Sequence, residues 1–103
     1  MAFPVEISYK DVPHSDRLER LIREEATKLE RYYSRIVSGR VLIEHVHHRA
    51  PFHARVELSV PGEELVARRS EKSETFMTEE LAIHNAFKVV KRQLLDYVDR
   101  LKS

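Results

Sequence analysis

The side chains that could do chemistry in this chain are sorted mainly by charge. From His84 onward the sequence holds Lys88, Lys91, Arg92, Arg100 and Lys102 against Asp96 and Asp99, five positive to two negative. Wound at 3.6 residues per turn, His84, Lys88, Lys91, Arg92 and Lys102 fall near one side. Upstream, Arg17, Arg20, Lys28, Arg31 and Arg35 recur at near-helical spacing, interrupted by Glu24. Residues 16–35 carry six positive and five negative side chains. A basic helix face can neutralise phosphates and dock on folded RNA. The same pattern also describes a solvated face held by pairs such as Glu24 with Lys28 and Glu19 with Arg23, and spacing alone favours that plainer alternative.

Four histidines, His45, His47, His48 and His53, form a second cluster. His45 and His47 alternate, which puts them on one side of a strand, and His53 would sit across a hairpin. Imidazoles so placed could hold zinc, but only Glu44 or Glu57 stands near enough in sequence to complete a site. A polar hairpin end with half-titrated histidines is the preferred reading. Tyr32 and Tyr33 adjoin, so one can bury while the other faces out. An exposed tyrosine next to Arg31 and Arg35 could stack on a base. Catalysis has little support. No Gly-x-Ser-x-Gly elbow, phosphate-binding glycine loop or zincin motif is present.

These residues need elements to position them. Phe3, Val5, Ile7 and Tyr9 alternate as in a half-buried strand. Pro13 breaks the chain, and Ser15 is a plausible cap for a helix from Asp16 to about Tyr33. Its apolar stripe is Leu18, Leu21, Ile22, Ala26, Leu29 and Tyr33. Gly39 fits a turn into a strand over residues 40–47, with Val41 and Ile43 on one side and Arg40 and Glu44 on the other. A second strand over 52–60 alternates Phe52, Ala54, Val56, Leu58 and Val60 with His53, Arg55, Glu57 and Ser59. Pro61-Gly62 signals a tight turn into a strand from Glu64 to about Arg69, with Leu65 and Ala67 inward. Residues 70–75 read as loop. Thr78 caps a second helix whose stripe is Ile83, Phe87, Val90, Leu94, Val98 and Leu101.

The order is β-α-β-β-β-α, an α+β domain. Its first crossover predicts a parallel strand pair and its hairpins predict antiparallel ones. The economical packing is a four-stranded mixed sheet with both helices on one face. The other face would carry Arg40, Glu44, Arg55, Glu57, Ser59 and Arg68.

The 103 residues suit one domain, taken as 1–103, with a modest core. Hydrophobic residues make up 42% and charged residues 34%, a globular composition with a charged surface. The absence of cysteine removes disulfides, thiolate catalysis and Cys-based metal sites, and it fits a reducing compartment. No apolar run reaches membrane-span length, and the N-terminus lacks the features of a signal peptide. The cytoplasm is the expected location. The net charge of +1 argues neither for nor against nucleic acid.

The run Lys28-Leu29-Glu30-Arg31-Tyr32-Tyr33-Ser34-Arg35-Ile36 is more specific. It resembles the Lys-Leu-Glu-Arg-Tyr/Phe-x-x-Arg-Ile signature of the ribosome hibernation-promoting factor and ribosome-associated inhibitor family, also filed as sigma-54 modulation proteins. Val60-Pro61-Gly62-Glu63-Glu64-Leu65-Val66-Ala67 resembles that family's turn into its last strand. Ala82-Ile83 followed by Arg92-Gln93-Leu94 resembles its second helix. The histidine-bearing hairpin is similar to that of a short proteobacterial branch.

The resemblance implies a non-enzymatic protein that binds the small ribosomal subunit between head and body, against ribosomal RNA. There it would silence idle ribosomes under stress. It implies no cofactor, no membrane and no small-molecule substrate. The matching basic positions are Lys28, Arg35, Arg92, Arg100 and Lys102. With Arg31, Lys88 and Lys91 added from helix geometry, these form the expected RNA-binding surface. The chain departs from the family pattern at Glu25, Val89, His84 and the Thr78-Glu79-Glu80 start of the second helix. It stops at Ser103, so no C-terminal dimerisation domain is expected. A protein–protein regulatory module of the same fold, with reduced RNA binding, is the competing reading; a metal-binding hairpin protein is a third.

The histidine cluster yields the first prediction. Metal analysis of the purified protein should find no stoichiometric zinc. A tight 1:1 zinc complex abolished by His47→Ala would contradict it.

Overall fold

Six elements follow one another: β1 (Val5–Lys10), α1 (Asp16–Leu29), β2 (Ser38–His45), β3 (Phe52–Val60), β4 (Glu63–Ala67) and α2 (Glu79–Lys102). The computed structural model describes residues 3–45, 52–67 and 78–102. The four strands form one sheet in the order β1-β2-β3-β4. β1 runs parallel to β2, and the β2–β3 and β3–β4 pairs are antiparallel. The β-α-β-β-β-α order and the mixed sheet are those the sequence predicts.

Strand alternation sets the layers. Val41, Ile43, Ala54, Val56, Leu58, Val60, Leu65 and Ala67 are all buried, and the register places them on one face. Val41 pairs with Val56, and Leu58 with Leu65. Both helices lie over that face. α1 contributes Leu18, Ile22, Ala26 and Leu29, and α2 contributes Ile83, Phe87, Val90 and Leu94. α2 crosses β3 and β4 and also touches α1.

Local chemistry fixes the ends. The Ser15 hydroxyl accepts from the Leu18 backbone N–H at 3.3 Å, and the Thr78 hydroxyl accepts from that of Leu81 at 3.2 Å. Each satisfies a donor that the first helical turn leaves without a partner. Asp16, Glu79 and Glu80 then stand at the positive ends of the helix dipoles. Pro61 and Gly62 form the two-residue turn between β3 and β4. Gly62 has φ +81°, which fits the third position of a type II turn.

Three expectations need correction. α1 ends at Leu29 rather than near Tyr33. The next residues tighten into i→i−3 bonds, Glu30 to Thr27, Arg31 to Lys28 and Tyr32 to Leu29. Two adjacent tyrosines and a serine are weak helix formers, and a helix often tightens in this way at its end. Gly39 is not a turn residue. It lies within β2 opposite Val5, and a Cβ there would meet the Phe3 ring at 2.9 Å. Any larger residue there would force the Phe3 ring to shift. Finally, Leu101 is 56% exposed, whereas Tyr97 is 5% exposed and completes the stripe. The Tyr97 hydroxyl donates to the Pro61 carbonyl oxygen at 2.7 Å, which lets a polar side chain bury at the sheet's end. The expected loop at 70–75, Arg68, and the end of β2 at residues 46–47 lie outside the described residues.

Phe87 is buried between α2 and the rest of the core. Truncation to alanine removes a ring from a packed interior, which costs about 3–5 kcal/mol. Phe87→Ala should therefore lower the melting temperature strongly. An unchanged midpoint would mean that another face of α2 is buried.

Candidate nucleic-acid interface

Burying one stripe of each helix on the same sheet face leaves a groove between them. Its volume is about 350 Å³. Leu29 and Phe87 form an apolar floor. Lys28 and Glu25 project from α1, and His84, Lys88 and Lys91 from α2, while Tyr32 closes the wall just beyond α1. Three residues selected on sequence grounds, Lys28, Lys88 and Lys91, thus converge from two elements.

The groove's charges are partly ordered by one another. Lys91 Nζ lies 4.9 Å from the centroid of the Tyr32 ring, a cation–π contact. Tyr32 is 38% exposed, and Tyr33 turns inward to meet Tyr97 edge-on at 5.5 Å. Glu25 is the one carboxylate lining the groove, and its side chain is only 12% exposed. Its Oε2 accepts from Lys28 Nζ at 3.0 Å. Its Oε1 stands 3.9 Å from His84 Nδ1, an ion pair when the imidazole is protonated. The sequence paired Lys28 with Glu24; the structure pairs it with Glu25, which turns in toward α2. The expected Glu19–Arg23 pair is present at 3.4 Å. Lys88 has no ion-pair partner among the described residues.

Arg31 lies just outside the groove, on a shallow face that it shares with Arg20, Arg23, Thr27, Lys28 and one carboxylate, Glu24. Lys28 belongs to both surfaces. Arg23 was missed as a member of this basic patch, although Arg20, Arg23, Thr27 and Arg31 follow the 3–4 spacing that could have found it. Arg92 is exposed one turn beyond Lys88, and Arg35 and Lys102 are exposed outside the groove lining. Arg100 is held elsewhere. It donates to Glu63 at 2.9 Å and lies over the Tyr97 ring, tying the end of α2 to the β3–β4 turn. Arg17 and Glu80 form an exposed ion pair between the helices.

The opposite sheet face is mixed in charge. Its depression, about 360 Å³, gathers Glu6, Glu57 and Glu64 around Arg40. Beside it, Lys10 pairs with Glu44 at 3.8 Å and Arg55 with Glu57 at 3.0 Å, so the cations of this face are matched by carboxylates. The histidines are also separated. His45 pairs with Phe52, and His53 pairs with Glu44, so strand alternation sends the two imidazoles to opposite faces. His53 is 8% exposed with Nδ1 3.7 Å from Glu44 Oε1, whereas His45 meets the Phe52 ring edge-on. His47 and His48 lie outside the described residues. Among the described residues, no group of three or more His, Asp or Glu side chains could hold a metal ion.

The family described as Sigma 54 modulation protein / S30EA ribosomal protein matches residues 5–102. The chain belongs to this family. It is therefore a ribosome-associated factor, from a family that is not a known enzyme family. No curated protein sequence matches the chain. Several solved structures share its fold. The N-terminal domain of Thermus thermophilus Protein Y has a TM-score of 0.74 and 14% identity, covering 94% of this chain and 99% of that one. A ribosomal subunit interface protein from Coxiella burnetii has a TM-score of 0.75 and 13% identity, with the same coverage. Identities this low carry the fold and no residue roles. No described helix of this family member is long and apolar enough to cross a membrane.

Two exposed ion pairs outside the groove give a pH prediction. The hydrogen bond from Arg100 holds the Glu63 carboxyl below its ordinary value, and that from Arg17 does the same for Glu80. A carboxyl lowered by folding contributes stability above its unfolded pKa. That contribution is lost as pH falls through the folded value. NMR titration should find both midpoints below the usual glutamate range. Arg100→Ala should return Glu63, but not Glu80, to that range; a Glu63 midpoint unmoved by this change would disprove the assigned cause.

Proposed function

We propose that this protein binds the small ribosomal subunit in the channel where messenger and transfer RNA lie, and silences idle ribosomes under stress. Binding runs through ribosomal RNA and requires no cofactor, catalysis or small-molecule substrate, and the protein acts in the cytoplasm. The observation that carries this reading is the convergence of Lys28, Lys88 and Lys91 on one groove in a chain of a ribosome-associated family. The partner named for the Coxiella burnetii protein, a ribosomal subunit interface, points the same way. Arg31 and Arg92 extend the surface on either side. Arg35 and Lys102 stand at its margins, and Arg100 joins it only by leaving Glu63.

Sorting of charge compensates for the net +1. Phosphates see the nearest side chains within a Debye length of about 8–10 Å, not the sum over the molecule. The groove, with three lysines against one glutamate, therefore attracts RNA, while the open sheet face, whose cations are matched by carboxylates, offers no such excess. Each neutralised phosphate releases counterions, so association falls steeply with salt.

A protein-docking reading draws on different residues. Leu81, Val89 and Leu95 are exposed on α2, and such side chains suit a protein partner. Sedimentation of a lysate through a gradient separates the two readings. The wild type should comigrate with small subunits at low salt. The triple change Lys88→Glu, Lys91→Glu and Arg92→Glu should abolish comigration with the fold intact by circular dichroism. Arg40→Ser, on the opposite face, should leave it nearly unchanged. Single Lys88→Ala should lower the salt slope by about one unit. Comigration of the triple variant, or none of the wild type, would sink the ribosome reading in favour of a protein partner.

A further inference from the structure

The groove between α1 and α2 is more than a basic surface, and its shape limits what RNA can enter it. Its floor is apolar, formed by the buried side chains of Leu29 and Phe87. Its wall is an exposed tyrosine ring. Its rim carries three ammonium groups from two helices. Phosphate alone needs only the rim. An apolar floor beside an aromatic wall suits a flat, uncharged group attached to that phosphate. The volume, about 350 Å³, lies at the lower end of the range for small-ligand sites.

We propose that this groove takes one unpaired nucleotide. Its base rests against Tyr32 and the Leu29–Phe87 floor, and its phosphate is held by Lys28, Lys88 and Lys91. This rests on the reading of the helix pair as the RNA-facing surface, and it adds what that surface selects. A duplex cannot satisfy the site, because its bases are stacked on one another and present only edges. An unpaired residue offers a π-face, and stacking tolerates any base.

The electrostatics suit the same occupant. Lys91 lies over the Tyr32 ring, so a base entering the groove takes that ring face and the displaced ammonium turns to the phosphate. Lys88 is exposed and has no ion-pair partner among the described residues. Lys28 is oriented by Glu25, whose side chain is largely covered. Glu25 supplies one negative charge against three lysines, which leaves a net attraction for a phosphodiester. The nucleotide has two possible sources with identical chemistry, a residue of an RNA strand or a free nucleoside phosphate.

The test uses the full chain and three probes: a hexa-adenylate carrying one 2-aminopurine, a blunt-ended RNA duplex with no unpaired residue, and AMP. The single strand should bind with a change in 2-aminopurine fluorescence, and the duplex should bind at least about tenfold more weakly. Tyr32→Ala should weaken the single strand about tenfold while leaving the duplex unaffected. Tyr32→Phe should bind like the wild type, because the ring and not the hydroxyl carries the contact. Lys88→Ala should lower the salt slope for the single strand by about 0.7. Competition by AMP at micromolar concentration assigns the site to a free nucleotide; failure of AMP to compete while the hexanucleotide binds assigns it to an RNA residue. Equal single-strand affinity for the wild type and Tyr32→Ala overturns the proposal. If the wild type still comigrates with small subunits in that case, the ribosome reading stands without the nucleotide site. If Tyr32-dependent binding is seen but comigration is not, the groove binds nucleotides and the ribosome reading fails.

Discussion

The constraint on which the rest depends is the burial of one α2 stripe against the sheet. Ile83, Val90 and Leu94 are fully covered and Phe87 nearly so. At about 100° per residue, that choice fixes where every other α2 side chain points. Lys88 and Lys91 neighbour Phe87 and Val90 in sequence, so burying those two turns the lysines out to the rim. Rotating α2 by one residue would bury charge and expose the Phe87 ring. The basic groove is thus maintained by the same apolar contacts that keep the domain folded, and no separate interaction has to hold it open.

Polar contacts then fix the rigid frame without covering the rim. Tyr97 and Arg100 fasten the far end of α2 to the β3–β4 turn, and Gln93 donates to the Val66 carbonyl at 2.9 Å along the sheet's edge. That last bond occupies an acceptor on an edge strand, where an open one invites pairing with another chain. The Arg17–Glu80 pair links the starts of the two helices. Exposed pairs of this kind add little stability, but they set which cations remain available for a ligand. Arg17 and Arg100 are engaged, whereas Lys88 and Arg92 are not paired among the described residues.

The elements were legible in the sequence because each carries a clean period. Strands β2 to β4 alternate, α1 and α2 repeat at threes and fours, and Ser15, Thr78 and Pro61-Gly62 mark ends that the structure keeps. What was not legible depended on contacts between elements. Gly39 reads as a turn residue until the Phe3 ring is seen against it. The α2 stripe reads through Val98 to Leu101 until the Pro61 carbonyl is seen to give the Tyr97 hydroxyl a buried partner. His45 and His53 look like neighbours until the pairing register, offset by one residue, sends them to opposite faces. Lys28, Lys88 and Lys91 could be chosen from their helix faces alone. The apolar floor beneath them could not, because Leu29 and Phe87 read only as core, and the inward turn of Glu25 depended on where α2 came to lie.

The central claim is that the helix face, and not the open sheet face, meets RNA. Site-specific photocrosslinking tests it most directly. A photoreactive residue placed at position 88 stands at the groove, and one at position 8 stands on the exposed open face of β1. Each protein would be irradiated with purified small subunits at low salt, and the RNA recovered. The account predicts covalent RNA adducts from position 88 and none above background from position 8. Adducts from position 8 with none from position 88 would contradict it.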